Sequence, residues 1–425
     1  MKKSVVSAVV GMLALTALTG CEQEISRYET TWEHEAHRLQ RELDANQPLP
    51  RATFLGTHNA YNSHAYTTPQ SYLDPNQTHT LTNQLRMDIR ALELDVHTFN
   101  TYDLSTGALG VDLLLCHGLD THVGCSPWDR PFTEGLQEIA DWLAQPENQH
   151  EVLMVYIEDH MNDDHYDRAI DALQSTVAPY IYMPQSSGCN GIPATLTKNQ
   201  VRASGKNIVL ISDGCNNSDF NRFVFGGFEN GPGGYPTAGV ADLMEAPHCL
   251  EGRYSVAQMD SLFIRIQEDR TMLSNLVGAA GPKVTPEVIA RMLDCGVNLP
   301  GMDKLRPFDG RLQAAIWSWA TNEPTNAAGF DCAYHASEGR FAADGCTEQR
   351  YFACRDDDTG NWFISPNTGS WEQGFASCEA AGMRFTVPYS GQDNLRLTQL
   401  KATQGVENLW LGYRRNTGDE WQVYE

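Results

Sequence analysis

Short apolar runs that alternate with helical stretches, several of them ending in charge, constrain this chain more than any other feature. Ala91 to Val96, Val152 to Ile157 and Asn207 to Ser212 read as strands, and helical patterns lie near Thr133 to Leu143, Ser255 to Leu276 and Pro286 to Asp294. Strands separated by helices are the pattern of βα units in a parallel sheet. A last strand is expected over Gln313 to Trp319, after Gly296 to Pro300. The count approaches eight βα units, and residues 51–320 suit an α/β fold, a TIM-type (β/α)8 barrel. The glycine-rich stretch from Gly226 to Gly239 reads as a surface loop near the barrel mouth. Residues 21–50 are polar and Glu/Arg-rich and end at Pro48 and Pro50, which reads as a tether with a short helix. Beyond Ala320 the composition shifts to Trp, Gly, Asn and Cys, so residues 321–425 form a separate disulfide-rich unit.

Four segments fall at or just after the C-terminal ends of predicted strands, where barrel active sites are assembled. They are Gly56 to Tyr61 with His58-Asn59, Arg90 to His97, Leu114 to Gly118 with His117, and Val152 to His160 with Glu158. Strand alternation puts Glu93, Asp95 and His97 on one face. An apolar strand aiming two acids and a histidine the same way carries a desolvation cost that a cation should offset. Asn59 offers a carbonyl oxygen, and Glu93, Asp95 and Glu158 offer carboxylates. That all-oxygen set suits calcium and not zinc. Taken singly, each segment has an ordinary structural explanation; the four together, in this order, are far more specific.

Together the segments resemble the catalytic X domain of the phosphoinositide-specific phospholipase C family. The likeness rests on His58-Asn59, on Arg90, Glu93 and Asp95, on His117-Gly118 and on Glu158. It implies a PLC-like phosphodiesterase barrel, Asn59, Glu93, Asp95 and Glu158 as calcium ligands, and His58, His117, Glu93 and Arg90 as catalytic residues. Metal-independent bacterial members carry arginine at the second acidic position, where this chain has Asp95, so the calcium-dependent type is expected. The implied reaction is attack on phosphorus by the inositol 2-hydroxyl, with His117 as general acid and either His58 or Glu93 as base. The substrate is then a phospholipid at a membrane surface. The paired lysines of members that act on polyphosphorylated headgroups are missing: this chain reads Leu210-Ile211-Ser212-Asp213-Gly214. An unphosphorylated inositol lipid or a related diester is therefore favoured.

Thirty Lys+Arg against 54 Asp+Glu give a net charge of -24, which repels nucleic acid. Lys2, Lys3 and the apolar run from Val5 to Leu18 form a signal peptide, residues 1–20. Leu18-Thr19-Gly20-Cys21 resembles the bacterial lipobox, which implies lipidation of Cys21. The expected address is the outer side of the cell membrane or the outer membrane. The ten remaining cysteines, in an exported chain without C-x-x-C spacing, point to disulfides and not to structural zinc.

The segments Trp371 to Cys378, Phe385 to Pro388 and Trp410 to Tyr413 resemble the first half of a C-type lectin-like domain, and Trp319 to Cys354 resembles the second half. The halves come in reversed order, by permutation or by coincidence. Glu323-Pro324-Thr325-Asn326 is the sole hint of a calcium cage there, so structural packing is favoured over glycan binding. Two other readings compete with the phospholipase C: a glycerophosphodiester phosphodiesterase or sphingomyelinase D-like enzyme, and a non-catalytic glycan-binding surface lipoprotein.

Overall fold

A computed structural model describes residues 22–102, 109–118, 124–229, 237–245, 249, 263–276, 278 and 281–424. The signal segment, Cys21, residues 230–236 of the glycine-rich loop and residues 255–262 of the helix expected from Ser255 lie outside that set.

The barrel strands are β1 (Gly56–Thr57), β2 (Ala91–Tyr102), β3 (Leu109–Leu115), β4 (Leu153–His160), β5 (Ile208–Ser212), β6 (Thr237–Gly239), β7 (Arg265–Gln267) and β8 (Leu299–Met302). They form an eight-stranded curled sheet in the order β5-β4-β2-β1-β8-β7-β6, with β3 antiparallel beside β2 and every other pairing parallel. Among the described residues no ladder joins β5 to β6, so this TIM-type barrel is open there. The two-residue side-chain period sorts its contents. Leu92, Leu94, Val96, Leu153, Val155 and Ile157 belong to the core shared with the helices. Ala91, Met154, Tyr156, Val209, Ile211 and Leu299 fill the barrel interior together with Phe54 and Phe263. Continuing up that inner face, β2 presents Glu93 and Asp95, and β4 presents Glu158.

Three expectations need correction. Gln313 to Trp319 is not a strand: Arg311–Ala314 is a short helix, and Trp319 makes only an isolated bridge to Phe341. The run is apolar because Trp317 and Trp319 are buried between the barrel and the C-terminal unit. The last barrel strand is β8, paired with β1. Within the helix expected from Ser255 to Leu276, Arg265–Gln267 is β7, and only Met272–Leu276 is helical. Residues 21–50 are no free tether, because Ile25 and Tyr28 are fully buried and the helix Trp32–Leu43 packs Ala36, Leu39 and Leu43 into the core. Gln40 on that helix accepts from the backbone of Trp317 and Ser318.

The C-terminal unit contains β9 (Cys332–His335), β10 (Phe341–Asp344), β11 (Tyr351–Arg355), β12 (Trp362–Ile364), β13 (Arg384–Phe385), β14 (Leu409–Arg415) and β15 (Trp421–Val423). Its sheet runs β10-β9-β14-β11-β12, with β13 on β11 and β15 on β14. Disulfides Cys332–Cys346 and Cys354–Cys378 brace it, and Cys116–Cys125, Cys189–Cys215 and Cys249–Cys295 brace the barrel. The unit packs on the barrel through the helix Gly391–Gln404. A Cβ at Gly391 would sit 2.7 Å from the Leu293 carbonyl, so the close approach requires glycine. In Glu323-Pro324-Thr325-Asn326, Glu323 Oε2 accepts from the backbone N–H of Thr325 and Ala343.

His335 makes the unit's stability depend on pH. Its Nε2 pairs with Asn394 Oδ1 at 2.9 Å, and its Nδ1 faces Lys401 Nζ at 3.0 Å. Burial, then the Lys401 charge, pushes the imidazole pKa down to about 3 from 6.5. A depressed histidine binds its proton first in the unfolded chain, so its contribution is full above pH 6.5 and is lost as pH falls below that value. The urea midpoint is expected to drop between pH 6.5 and 4, with a shallower slope in His335→Gln; equal slopes in the two proteins would refute the assignment.

Candidate active site

The site is built at the C-terminal mouth of the barrel. Parallel register sets Asp95 directly beside Glu158, and Glu93 beside Tyr156. Carboxylate oxygens of Glu93, Asp95 and Glu158 lie within 4.8 Å of one another. Burial, with the charges of Glu158 and Glu93, pushes the Asp95 carboxyl well above the ordinary carboxylate range. Glu158 is held low, chiefly by His160, whose Nε2 is 3.4 Å from Glu158 Oε1. Tyr61 donates to Asp95 Oδ2 at 2.7 Å.

Asn59 follows β1 in a left-handed conformation, φ 46°, which asparagine tolerates better than most residues. Its side-chain amide lies 3.0 Å from both Asp95 oxygens. Turned nitrogen-inward the amide donates to Asp95; turned oxygen-inward it completes a four-oxygen cluster. That cluster, crowded enough to raise Asp95, fits a hard cation.

His58 sits on the other side of Asn59. Its Nδ1 is 3.3 Å from Asp303 Oδ1, and Asp269 lies in the same group. Burial alone would lower the His58 pKa, but Asp303, with Glu93 and Asp95, raises it to about 10. Asp303 is itself anchored by the Arg270 N–H at 2.6 Å and by Asn76 Nδ2 at 3.0 Å. His117 is partly buried, and burial followed by the His58 charge lowers its pKa. The barrel mouth thus gathers His58, Asn59, Glu93, Asp95, His117 and Glu158.

Arg90 is elsewhere. It precedes β2 at the opposite end of the barrel, where Nε and Nη2 bond Glu151 at 2.9 and 3.0 Å and Nη1 bonds the carbonyls of Leu85 and Ile89. Its guanidinium covers the Trp142 ring. These contacts make it a structural residue, against its expected catalytic role. His97 is buried and stacks on His160 at 4.2 Å.

Sequence reasoning missed Asp303, Arg265 and Gln267. Arg265 Nη1 bonds Glu93 Oε1 at 2.8 Å, while Gln267 Nε2 bonds Glu93 Oε2. Arg265 and Gln267 alternate with Ile266, so an Arg-x-Gln pattern flanking an apolar residue was the available signal. Asp303 had none, because β8 reads Leu299-Pro300-Gly301-Met302.

The open barrel with its acid–histidine mouth is a PI-PLC-like fold. The family described as the Rv2075c PI-PLC-like domain matches residues 17–309, and the chain belongs to it. The uncharacterized proteins Rv2075c and MT2135, from Mycobacterium tuberculosis strains H37Rv and CDC 1551, are 32% identical to it over 405 residues, 91% of this chain and 80% of theirs. A shorter match, 32% over 118 residues, covers 27% of this chain and 25% of the PI-PLC X domain-containing protein At5g67130 of Arabidopsis thaliana. The phosphatidylinositol-specific phospholipase C of Listeria monocytogenes aligns with a TM-score of 0.40 and 17% identity, over 66% of this chain and 97% of that one.

Proposed function

We propose that this chain is a phosphoric diester hydrolase of the phospholipase C type that cleaves phosphatidylinositol or a related inositol phospholipid. The observation that carries the reading is the convergence of Glu93, Asp95 and Glu158 within 4.8 Å of one another at the barrel mouth, where the His58–Asp303 pair also stands. Asn59, Glu93, Asp95 and Glu158 would hold a calcium ion. Bound there, the ion would supply positive charge to the phosphoryl oxygens.

Asp303 on Nδ1 orients His58, and a cation held by the acidic cluster would offset the Glu93 and Asp95 charges that raise its pKa. In the neutral imidazole Nε2 takes the proton of the inositol 2-hydroxyl, and Asp303 stabilises the imidazolium that forms. Both Glu93 oxygens already accept hydrogen bonds, from Arg265 and from Gln267 with the Asn59 N–H, which weighs against Glu93 as the base. The 2-hydroxyl oxygen bonds to phosphorus as the bond to the diacylglycerol oxygen breaks. With His58 neutral, the charge that lowers His117 is gone, and Asp269, Glu158 and Asp303 favour its imidazolium. His117 in that form protonates the leaving oxygen, and the products are diacylglycerol and a cyclic inositol phosphate. The proposed setting is a lipoprotein anchored through Cys21 on the outer face of the cell membrane or on the outer membrane, with its substrate at a membrane surface.

The test is diacylglycerol release from phosphatidylinositol vesicles by the mature protein, with calcium and with chelator, beside His117→Ala. Calcium-dependent release that the variant loses supports the reading. Release of a free alcohol headgroup instead, or no release in any condition, overturns it. Separately, Asp95→Asn is expected to weaken calcium affinity by at least about tenfold in calorimetry, because it removes a charged oxygen from the cluster.

A further inference from the structure

Beside the site, on the far side of Asp303, the loops that follow β7 and β8 enclose a cavity of about 450 Å³. Five cations line it, and four of them, Arg270, Lys283, Lys304 and Arg306, are left after Arg311 pairs with Glu268 and Asp309. This is an unusual place for them in a chain of net charge -24.

The acids in the same wall are already engaged. Glu268 accepts from the N–H of Val284 and Asp303 and pairs with Arg311, and Asp309 also pairs with Arg311. Asp303 is taken by His58, Asn76 and the Arg270 N–H. Among the described residues, the side chains of Arg270, Lys283 and Arg306 meet no carboxylate, and Lys304 Nζ meets only the Arg270 carbonyl, at 2.9 Å. Like charges gathered around one concavity, with the local acids spent, raise a positive potential that an anion relieves. Arginine and lysine together match the oxygens of a phosphoryl group, arginine by paired donors and lysine as a point charge.

We propose that this cavity is a second anion subsite, one that takes a phosphoryl group other than the diester being cleaved. The assignment to the substrate layer rests on the phosphodiesterase reading; the anion site itself does not. Its ligand comes either from a phosphate monoester on the substrate's own headgroup or from a neighbouring anionic lipid. The first source would revise the expectation of an unphosphorylated headgroup, since these cations stand on the β7 and β8 loops and not after β5.

The experiment uses the mature protein and the Lys283→Glu/Arg306→Glu double variant. Both positions are exposed, and neither side chain touches the catalytic groups. Inorganic phosphate is titrated by calorimetry in the presence of chelator. Binding by the wild type that weakens at least about tenfold in the variant is expected for a charge-reversed phosphate site. Wild-type protein that binds no phosphate, or a variant that binds equally well, overturns the site, whether or not any diester is hydrolysed. Two turnover arms then identify the source. The first compares phosphatidylinositol with phosphatidylinositol 4-phosphate in neutral vesicles, and a preference lost only in the variant assigns the headgroup. The second adds phosphatidic acid to phosphatidylinositol vesicles, and a stimulation lost only in the variant assigns a neighbouring lipid. Variant and wild type behaving alike in both arms overturns the link to the substrate.

Discussion

His58→Ala is expected to lower phosphodiester turnover by about a thousandfold, within the range typical of a lost acid–base group. The fold should survive the change. Asp303 keeps the Arg270 N–H and Asn76 Nδ2 after the imidazole is removed, so its buried carboxylate is not stranded. The measurement is turnover beside the urea midpoint: a large rate loss with a midpoint near that of the wild type is the expected pair. Turnover within tenfold of the wild type would remove His58 from the chemistry. Asp303→Asn separates positioning from direct catalysis. Its carboxamide still fills the space but no longer stabilises the imidazolium, so the loss should appear in kcat with KM little changed.

Arg90→Ala is expected to behave in the opposite way, costing about 3 kcal/mol of stability and leaving the activity of the folded molecules intact. The substitution removes both hydrogen bonds to the buried Glu151, the donors to Leu85 and Ile89, and the guanidinium over Trp142. Arg41 Nη2, 3.0 Å from Glu151 Oε1, keeps some compensating charge there and holds the loss to the lower part of the range for broken buried pairs. Urea unfolding and turnover per folded molecule check both halves. A variant of normal stability that has lost its activity would restore Arg90 to the site.

Arg90 also shows how far a linear pattern can be trusted. It stands three residues before Glu93, and at about 3.3 Å of rise per residue that separation is about 10 Å along the strand axis. The odd offset also turns the two side chains to opposite faces. Glu93 and Asp95, two residues apart, do share a face, and both reach the mouth. The alternation legible in β2 therefore supported these two acids and never Arg90. The run from Gln313 to Trp319 misled for a related reason: it is apolar because two units close over it, and burial of that kind leaves the same sequence mark as a strand.

Legible in the residues alone were the βα alternation, the strand ends that carry Glu93, Asp95 and Glu158, and the two histidines that follow β1 and β3. These are local facts, set by side-chain period and by where an apolar run gives way to charge. That Asp95 stands level with Glu158 came from the assembled sheet, because inter-strand register is not a property of either strand. The same sheet brought Asp303 to His58, across 245 positions of chain, by pairing β8 beside β1 with Gly301 opposite Gly56. Nothing within either strand encodes that distance; the pairing of β1 with β8 does.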